Sequence, residues 1–206
     1  MGSFNAPHRD PLKVLESALR GGITCFQLRE KGPDALSGAE KLDFAKSCQQ
    51  LCKTFDVPFI VNDDVELAVQ LDTDGVHVGQ DDLPAKLVRS KIGDRKILGV
   101  SVHSVEEAGR ALAAGADYVG MGPIYKTPSK ADAKPVAGTV QLAKVAASFP
   151  DLPIVGIGGI TVDNLEVVLR SGASGISVIS AIAGVADPEA AAHSFVDKVL
   201  RIEANV

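Results

Sequence analysis

The stretch ILGVSVHSVEEAGRALAAGADYVGMG, residues 97–122, decides the fold class. Its first six residues, Ile97–Val102, form a short, largely apolar run with β-branched Ile97, Val100 and Val102, and Tyr118–Gly122 at its end is likewise short and largely apolar. Such near-continuous apolar runs suit strands buried on both faces of a parallel sheet. Between them, Ser104 precedes Glu106 and Glu107, so a capping hydroxyl and first-turn carboxylates can open a helix over Ser104–Ala114. The Ala-Gly-Ala-Asp of 114–117 then ends the helix and leads into the second strand, and the Ser-Gly-Ala-Ser of 171–174 resembles it. The whole is one strand–helix–strand unit.

The same alternation extends in both directions. Further strands are predicted over Thr24–Arg29, Pro58–Asn62, Gly75–Gly79, Ile154–Ile157 and Gly175–Ser180. Helices are predicted over Asp10–Arg20, Asp34–Thr54, Val65–Gln70, Pro84–Lys91, Thr139–Ser148, Val162–Ser171 and Asp187–Ile202. Such a series folds as an eight-fold barrel or as a doubly wound open sheet. The Rossmann form lacks its early Gly-rich fingerprint, because Gly156, Gly158 and Gly159 come late and adjacent. The expected fold is an α/β (β/α)8 TIM barrel. Seven strands are counted and the series opens on a helix, so the expected barrel lacks its first strand, and residues 1–9 form a leading loop. No linker or composition break interrupts residues 1–206, which are read as a single domain.

With 206 residues, 46% of them hydrophobic, the chain can bury a core without a disulfide or metal staple. A net charge of −5 argues against a nucleic-acid or anionic-membrane surface. No apolar run approaches the roughly 20 residues of a membrane helix, and Met1–Pro11 has no signal-peptide core, so the expectation is a cytoplasmic protein. Cys48 and Cys52 stand four apart on one helix face and supply only two soft ligands. They are read as structural.

In a parallel barrel the polar residues that follow each strand converge on one face. Gln27, Arg29 and Lys31 alternate at the end of one strand. Asn62-Asp63 and Gln80-Asp81-Asp82 follow the next two, and Ser101 and His103 close a fourth. Taken singly, each reads as a solvated rim charge. Together, two cations and carboxylates from separate strand ends suit Mg²⁺ and the phosphates it binds. Asp64 and Asp81 compete with their neighbours, and spacing does not choose between them. Gly158-Gly159 before a helix, with Ile179-Ser180 at the end of the last strand, suits either a phosphate site or plain tight turns. His103 is read as an orienting or packing histidine, with acid–base chemistry as the alternative.

Several strings, taken in order, carry a resemblance. Gln27-Leu28-Arg29-Glu30-Lys31, Val61-Asn62-Asp63, Asp74 to Gln80, Gly99-Val100-Ser101, Ala116 to Gly120, Gly122-Pro123-Ile124-Tyr125, Thr127 to Lys130, Ile157 to Ile160 and Val178 to Ala181 together resemble the thiamine-phosphate synthase family. The resemblance spans about residues 10 to 200 and implies a (β/α)8 barrel. It also implies a transferase of thiamine biosynthesis that joins hydroxymethylpyrimidine diphosphate to thiazole phosphate, releasing pyrophosphate. By the same resemblance, Gln27, Arg29, Lys31 and Asn62 would hold the pyrimidine diphosphate, and Asp63 and Asp82 would bind Mg²⁺. Ser101 and Lys130 would contact the departing pyrophosphate, Thr127 and Ser129 would line the thiazole side, and Gly159, Ile179 and Ser180 would meet the thiazole phosphate. Lys130, Ser101 and Arg29 are the expected catalytic groups. Ser129 stands where the family often has Thr and keeps the hydroxyl. The rival readings are a thiazole tautomerase using His103 and an inactive barrel that binds thiazole phosphate. The expected partners are small-molecule substrates, and family precedent makes a homo-oligomer plausible.

Overall fold

The computed structural model describes residues 1–6, 8–32, 34–127 and 135–204. Among these residues seven strands alternate with helices: β1 Phe26–Leu28, β2 Phe59–Asn62, β3 Gly75–Val78, β4 Ile97–Val102, β5 Tyr118–Met121, β6 Ile154–Ile157 and β7 Gly175–Ser177. They follow one another in the sheet in chain order. The β1–β2 pair and the run β4–β5–β6–β7 are parallel. This is the barrel-type α/β fold that the strand–helix alternation predicts, with the expected number of strands. The chain gathers into two compact units, Met1–Val76 with Ile179–Val206, and His77–Val178.

In the first unit, helix α1 (Pro11–Arg20) opens where Asp10 accepts the Leu12 N–H at 2.9 Å and Pro11 takes the first helical position. Val14, Leu15, Ala18 and Leu19 form its buried stripe. That stripe packs against α2 (Gly38–Thr54) and α9 (Pro188–Glu203). In α2, Cys48 and Cys52 are fully buried, and burial pushes both thiols up, Cys52 to about 12. They are neutral core side chains. The leading segment holds more structure than a loop. Ser3–Asn5 form a 3-10 turn. The Met1 amino group donates to Gln27 O at 2.7 Å, while Arg29 N–H donates to Met1 O at 3.1 Å. Met1 thus meets the edge of β1 with the bond pattern of a parallel bridge.

Three strand starts are fastened alike. Phe59 donates its N–H to Asp74 Oδ2 at 2.8 Å and accepts the Asp74 N–H at 3.1 Å. Within the second unit, Leu98 exchanges the same two bonds with Asp117, at 2.7 and 2.8 Å. Ile154 does so with Ser174, at 3.3 and 2.8 Å. Each fastening residue stands immediately before the next strand, which explains why 114–117 and 171–174 resemble each other in sequence. Arg89 of α4 (Ala85–Ile92) adds a 2.6 Å ion pair to Asp117 and bonds the carbonyls of Gly93, Lys96 and Gly115.

Several boundaries differ from the sequence reading. Helix α2 starts at Gly38 rather than Asp34, because Leu36 N–H and the Ser3 backbone both bond the Glu30 carboxylate. Helix α7 (Leu165–Arg170) starts late because Asn164 bonds Thr161 N–H and Gly159 O, holding that turn apart from the helix. The last predicted strand ends at Ser177, and Ser180–Ala183 instead form a short helix, α8, closed by Gly184 N–H on Ser180 O at 2.9 Å.

Replacing Asp117 by Ala leaves the buried Leu98 amide without its side-chain acceptor and Arg89 without its carboxylate. The expected cost is about 1–3 kcal/mol in urea unfolding. Asp117→Asn, which keeps an accepting oxygen, is expected to lose less.

Candidate functional site

In the first unit, β1 carries Gln27, and Arg29 and Lys31 follow it. Arg29 is only 8% exposed, so the rim-charge reading does not hold for it. Lys31, at the surface, reaches across to Asp63, with Nζ 2.8 Å from Oδ2. Asn62 ends β2, and Asp63 adopts a left-handed φ of 65°, a conformation that Asp tolerates better than most residues. The chain turns there, and the two successive carboxylates take different partners. Asp64 caps helix α3 (Val65–Gln70) by accepting Leu67 N–H at 3.0 Å, and it binds Lys41 at 2.6 Å. Burial would raise its pKa, but the Lys41 bond, the Leu67 amide and the Lys41 charge together hold it below the usual carboxylate range. Of the two residues that spacing left undecided, Asp64 serves the helix, while Asp63 faces the site lysine. Ile179 is half-buried, and Ser180 is exposed at the start of α8.

In the second unit, Asp82 bends back to the end of β3, where its Oδ2 accepts the Gly79 N–H at 2.7 Å; Asp81 is exposed. Gln80 Nε2 donates to Ser101 O at 2.7 Å. The Ser101 hydroxyl lies 2.8 Å from His77 Nε2, and His77 Nδ1 lies 2.9 Å from the Tyr118 hydroxyl. Sequence reading placed His77 simply inside a strand and missed this chain. The available signal was a histidine in the apolar run Val76-His77-Val78, beside strands that carry glycine at 99 and 120. His103 is held by Glu107, which accepts its N–H at 2.7 Å and lies 3.0 Å from Nδ1.

Gly158 and Gly159 have φ of 98° and 66°, and a Cβ at Gly159 would lie 2.6 Å from Lys126 O. The backbone here continues the β5–β6 pairing, with Ile124 N–H on Ile157 O at 2.9 Å and Tyr125 N–H on Gly158 O at 3.0 Å. The close approach of these two segments requires glycine. Thr127 is half-buried beyond them, and Ser129 and Lys130 lie outside the described residues.

In the first unit Arg29, Lys31 and the Asp63 carboxylate stand at strand ends, a set suited to binding phosphates, and in the second the Ser101 hydroxyl stands near the end of β4. Among the described residues no three His, Cys, Asp or Glu side chains cluster as a metal cage. Mg²⁺ does not need one, because it uses one or two carboxylates and completes its shell with water and substrate phosphate. Asp63 and Asp82 fit that donor set in kind. No helix among the described residues is long and apolar enough to cross a membrane.

Residues 3–182 match the family described as thiamine monophosphate synthase. The chain is 52% identical over its full length to thiamine-phosphate synthase of Bacillus velezensis, covering 91% of that protein. It is 56% identical over 97% of its length to the Geobacillus kaustophilus protein of the same name, covering 89% of it. The solved thiamine phosphate pyrophosphorylase of Pyrococcus furiosus superposes with a TM-score of 0.86 at 35% identity, covering 98% of this chain and 94% of that one.

The depressed pKa of Asp64 gives stability that is present above the ordinary aspartate range and lost as pH falls through the folded-state value. The stability difference between the protein and Asp64→Asn is therefore expected to shrink on acidification from pH 7 toward pH 3. A difference constant across denaturation curves in that window would contradict the assignment.

Proposed function

Because the chain belongs to the thiamine monophosphate synthase family and is a thiamine-phosphate-forming transferase, we propose that it joins hydroxymethylpyrimidine diphosphate to thiazole phosphate in a Mg²⁺-dependent dissociative substitution. The observation that carries this reading is the buried Arg29 on the same strand end as Lys31, which is paired to Asp63 at 2.8 Å. A monovalent or neutral leaving group would not need two cations and a metal-type carboxylate together.

The carbon–oxygen bond between the pyrimidine methylene and the diphosphate breaks, with both electrons leaving on the diphosphate. The ring amino group stabilises the resulting cation. The thiazole nitrogen lone pair then forms the carbon–nitrogen bond, so neither bond change needs a proton transfer. Gln27 and Asn62 orient the pyrimidine diphosphate. Arg29, Lys31 and Lys130 stabilise the charge that develops on the leaving group, and the Ser101 hydroxyl donates to it. Thr127 and Ser129 line the thiazole side, and Gly159, Ile179 and Ser180 receive its phosphate, so that the nucleophile is held ready for capture. Asp63 and Asp82 would hold Mg²⁺, which would supply electrostatic stabilisation of the diphosphate. The relatives named above are synthases, and the tautomerase and inactive-barrel readings gain no support from them.

Pyrophosphate release is expected to require both substrates and Mg²⁺, and to stop on chelation. Release from the pyrimidine diphosphate at full rate in excess chelator would overturn the metal assignment. Lys130→Ala is expected to lower kcat by about 10²–10³-fold; an unchanged rate at saturating substrate would remove Lys130 from the leaving-group set.

A further inference from the structure

Ser101 is not alone on its strand face. Strands β4 and β5 pair Gly99 with Tyr118 and Ser101 with Gly120. Alternation along a strand puts Gly99 and Ser101 on one face, with Tyr118 and Gly120 beside them. His77, 7% exposed, projects into this four-residue patch. A Cβ at Gly99 would lie 2.4 Å from His77 Nδ1 and 2.2 Å from Tyr118 Cζ, and one at Gly120 would lie 3.0 Å from His77 Cε1. Two glycines therefore keep open a slot that the imidazole fills. The Tyr118 ring lies beside it, at a centroid distance of 5.4 Å and a tilt of 40°. Within the slot both ring nitrogens are engaged, Nδ1 by the Tyr118 hydroxyl at 2.9 Å and Nε2 by Ser101 Oγ at 2.8 Å.

A neutral imidazole has one donor and one acceptor nitrogen, and a serine hydroxyl has a single proton to give. If Nε2 accepted that proton, Ser101 would have none left for a diphosphate oxygen. We propose that His77 is a positioning residue, held by Tyr118 in the tautomer that donates from Nε2, and that it thereby directs the Ser101 proton toward the departing diphosphate. Tyr118 O–H donates to Nδ1, Nε2–H donates to Ser101 Oγ, and the Ser101 O–H is left for the substrate. Gln80, bonded to the Ser101 carbonyl, fixes the backbone end of the same residue. No proton changes owner; the chain sets the direction of a hydrogen bond before the leaving group develops its charge.

This inference rests on the role given to Ser101 above, and the test separates the two. Pyrophosphate release is measured for Ser101→Ala, His77→Leu, His77→Gln and Tyr118→Phe, and for His77→Leu and Tyr118→Phe combined with Ser101→Ala. Ser101→Ala is expected to lower kcat by about 10²-fold. His77→Leu is expected to lower kcat by about tenfold, with a smaller change in KM. His77→Gln, whose amide can donate to Ser101, is expected to recover part of the rate. In the Ser101→Ala background neither His77→Leu nor Tyr118→Phe is expected to lower the rate further. If the losses multiply there, or if both single variants keep the full rate, His77 does not act through Ser101. If Ser101→Ala itself keeps the full rate, the leaving-group role of Ser101 falls and this inference falls with it. Where His77→Leu loses its cooperative melting transition, Tyr118→Phe, which removes a single oxygen, carries the same comparison.

Discussion

A parallel sheet has no hairpins to fix its register, so something else must place each strand start. In this chain that task falls to a two-bond exchange between a residue at the start of β2, β4 and β6, the first or second of the strand, and the residue that precedes the following strand. Phe59 with Asp74, Leu98 with Asp117 and Ile154 with Ser174 each satisfy one backbone amide and one carbonyl together. The fastening uses a short polar side chain for the amide and its own N–H for the carbonyl. Buried strand ends cannot leave these groups unpaired without a cost of about 1–3 kcal/mol apiece. Strand starts placed in this way set where β2, β4 and β6 run, and with them Asn62, Ser101 and the turn at Gly158 and Gly159.

The same economy governs the acidic residues. Adjacent carboxylates at 63 and 64 look alike in sequence, yet the left-handed backbone at Asp63 separates their tasks. Asp64 is taken by a helix start and Lys41, while Asp63 stays with the lysine that follows β1. Likewise Asp82 is drawn to the Gly79 amide. Helix capping calls for an aspartate after a strand, and the backbone conformation between the two candidates decides which of them caps.

Where hydrophobic period and capping agree, the sequence is readable to the residue. Helix α3 and strands β4 and β6 fall where their patterns predict. Reading fails where a polar side chain takes over the backbone. Glu30 and Asn164 delay α2 and α7, and the apolar run through Val178 and Ile179 reads as strand although Ser180 starts a helix. That Arg29, Asp63, Gln80 and Ser101 stand at or just beyond strand ends was legible, because the strands that carry them follow the hydrophobic pattern. The His77–Tyr118–Ser101 chain was not. It depends on two glycines clearing a slot across neighbouring strands, a relation between positions 22, 21 and 19 residues apart that no local period reports.

The fastenings described above join residues only 15, 19 and 20 positions apart. Contacts of such short range can form early, since each closes a modest loop and needs nothing from the rest of the chain. The packing of α1 on α9 is different, and with it the Arg9 bond to Ala183 O at 2.5 Å spans 174 positions. Folding of the first unit therefore needs, besides such local steps, one long-range closure, the meeting of its two distant sequence segments. Destabilising the α1–α9 seam would lower the refolding rate to the extent that the seam forms in the transition state, and otherwise would speed unfolding.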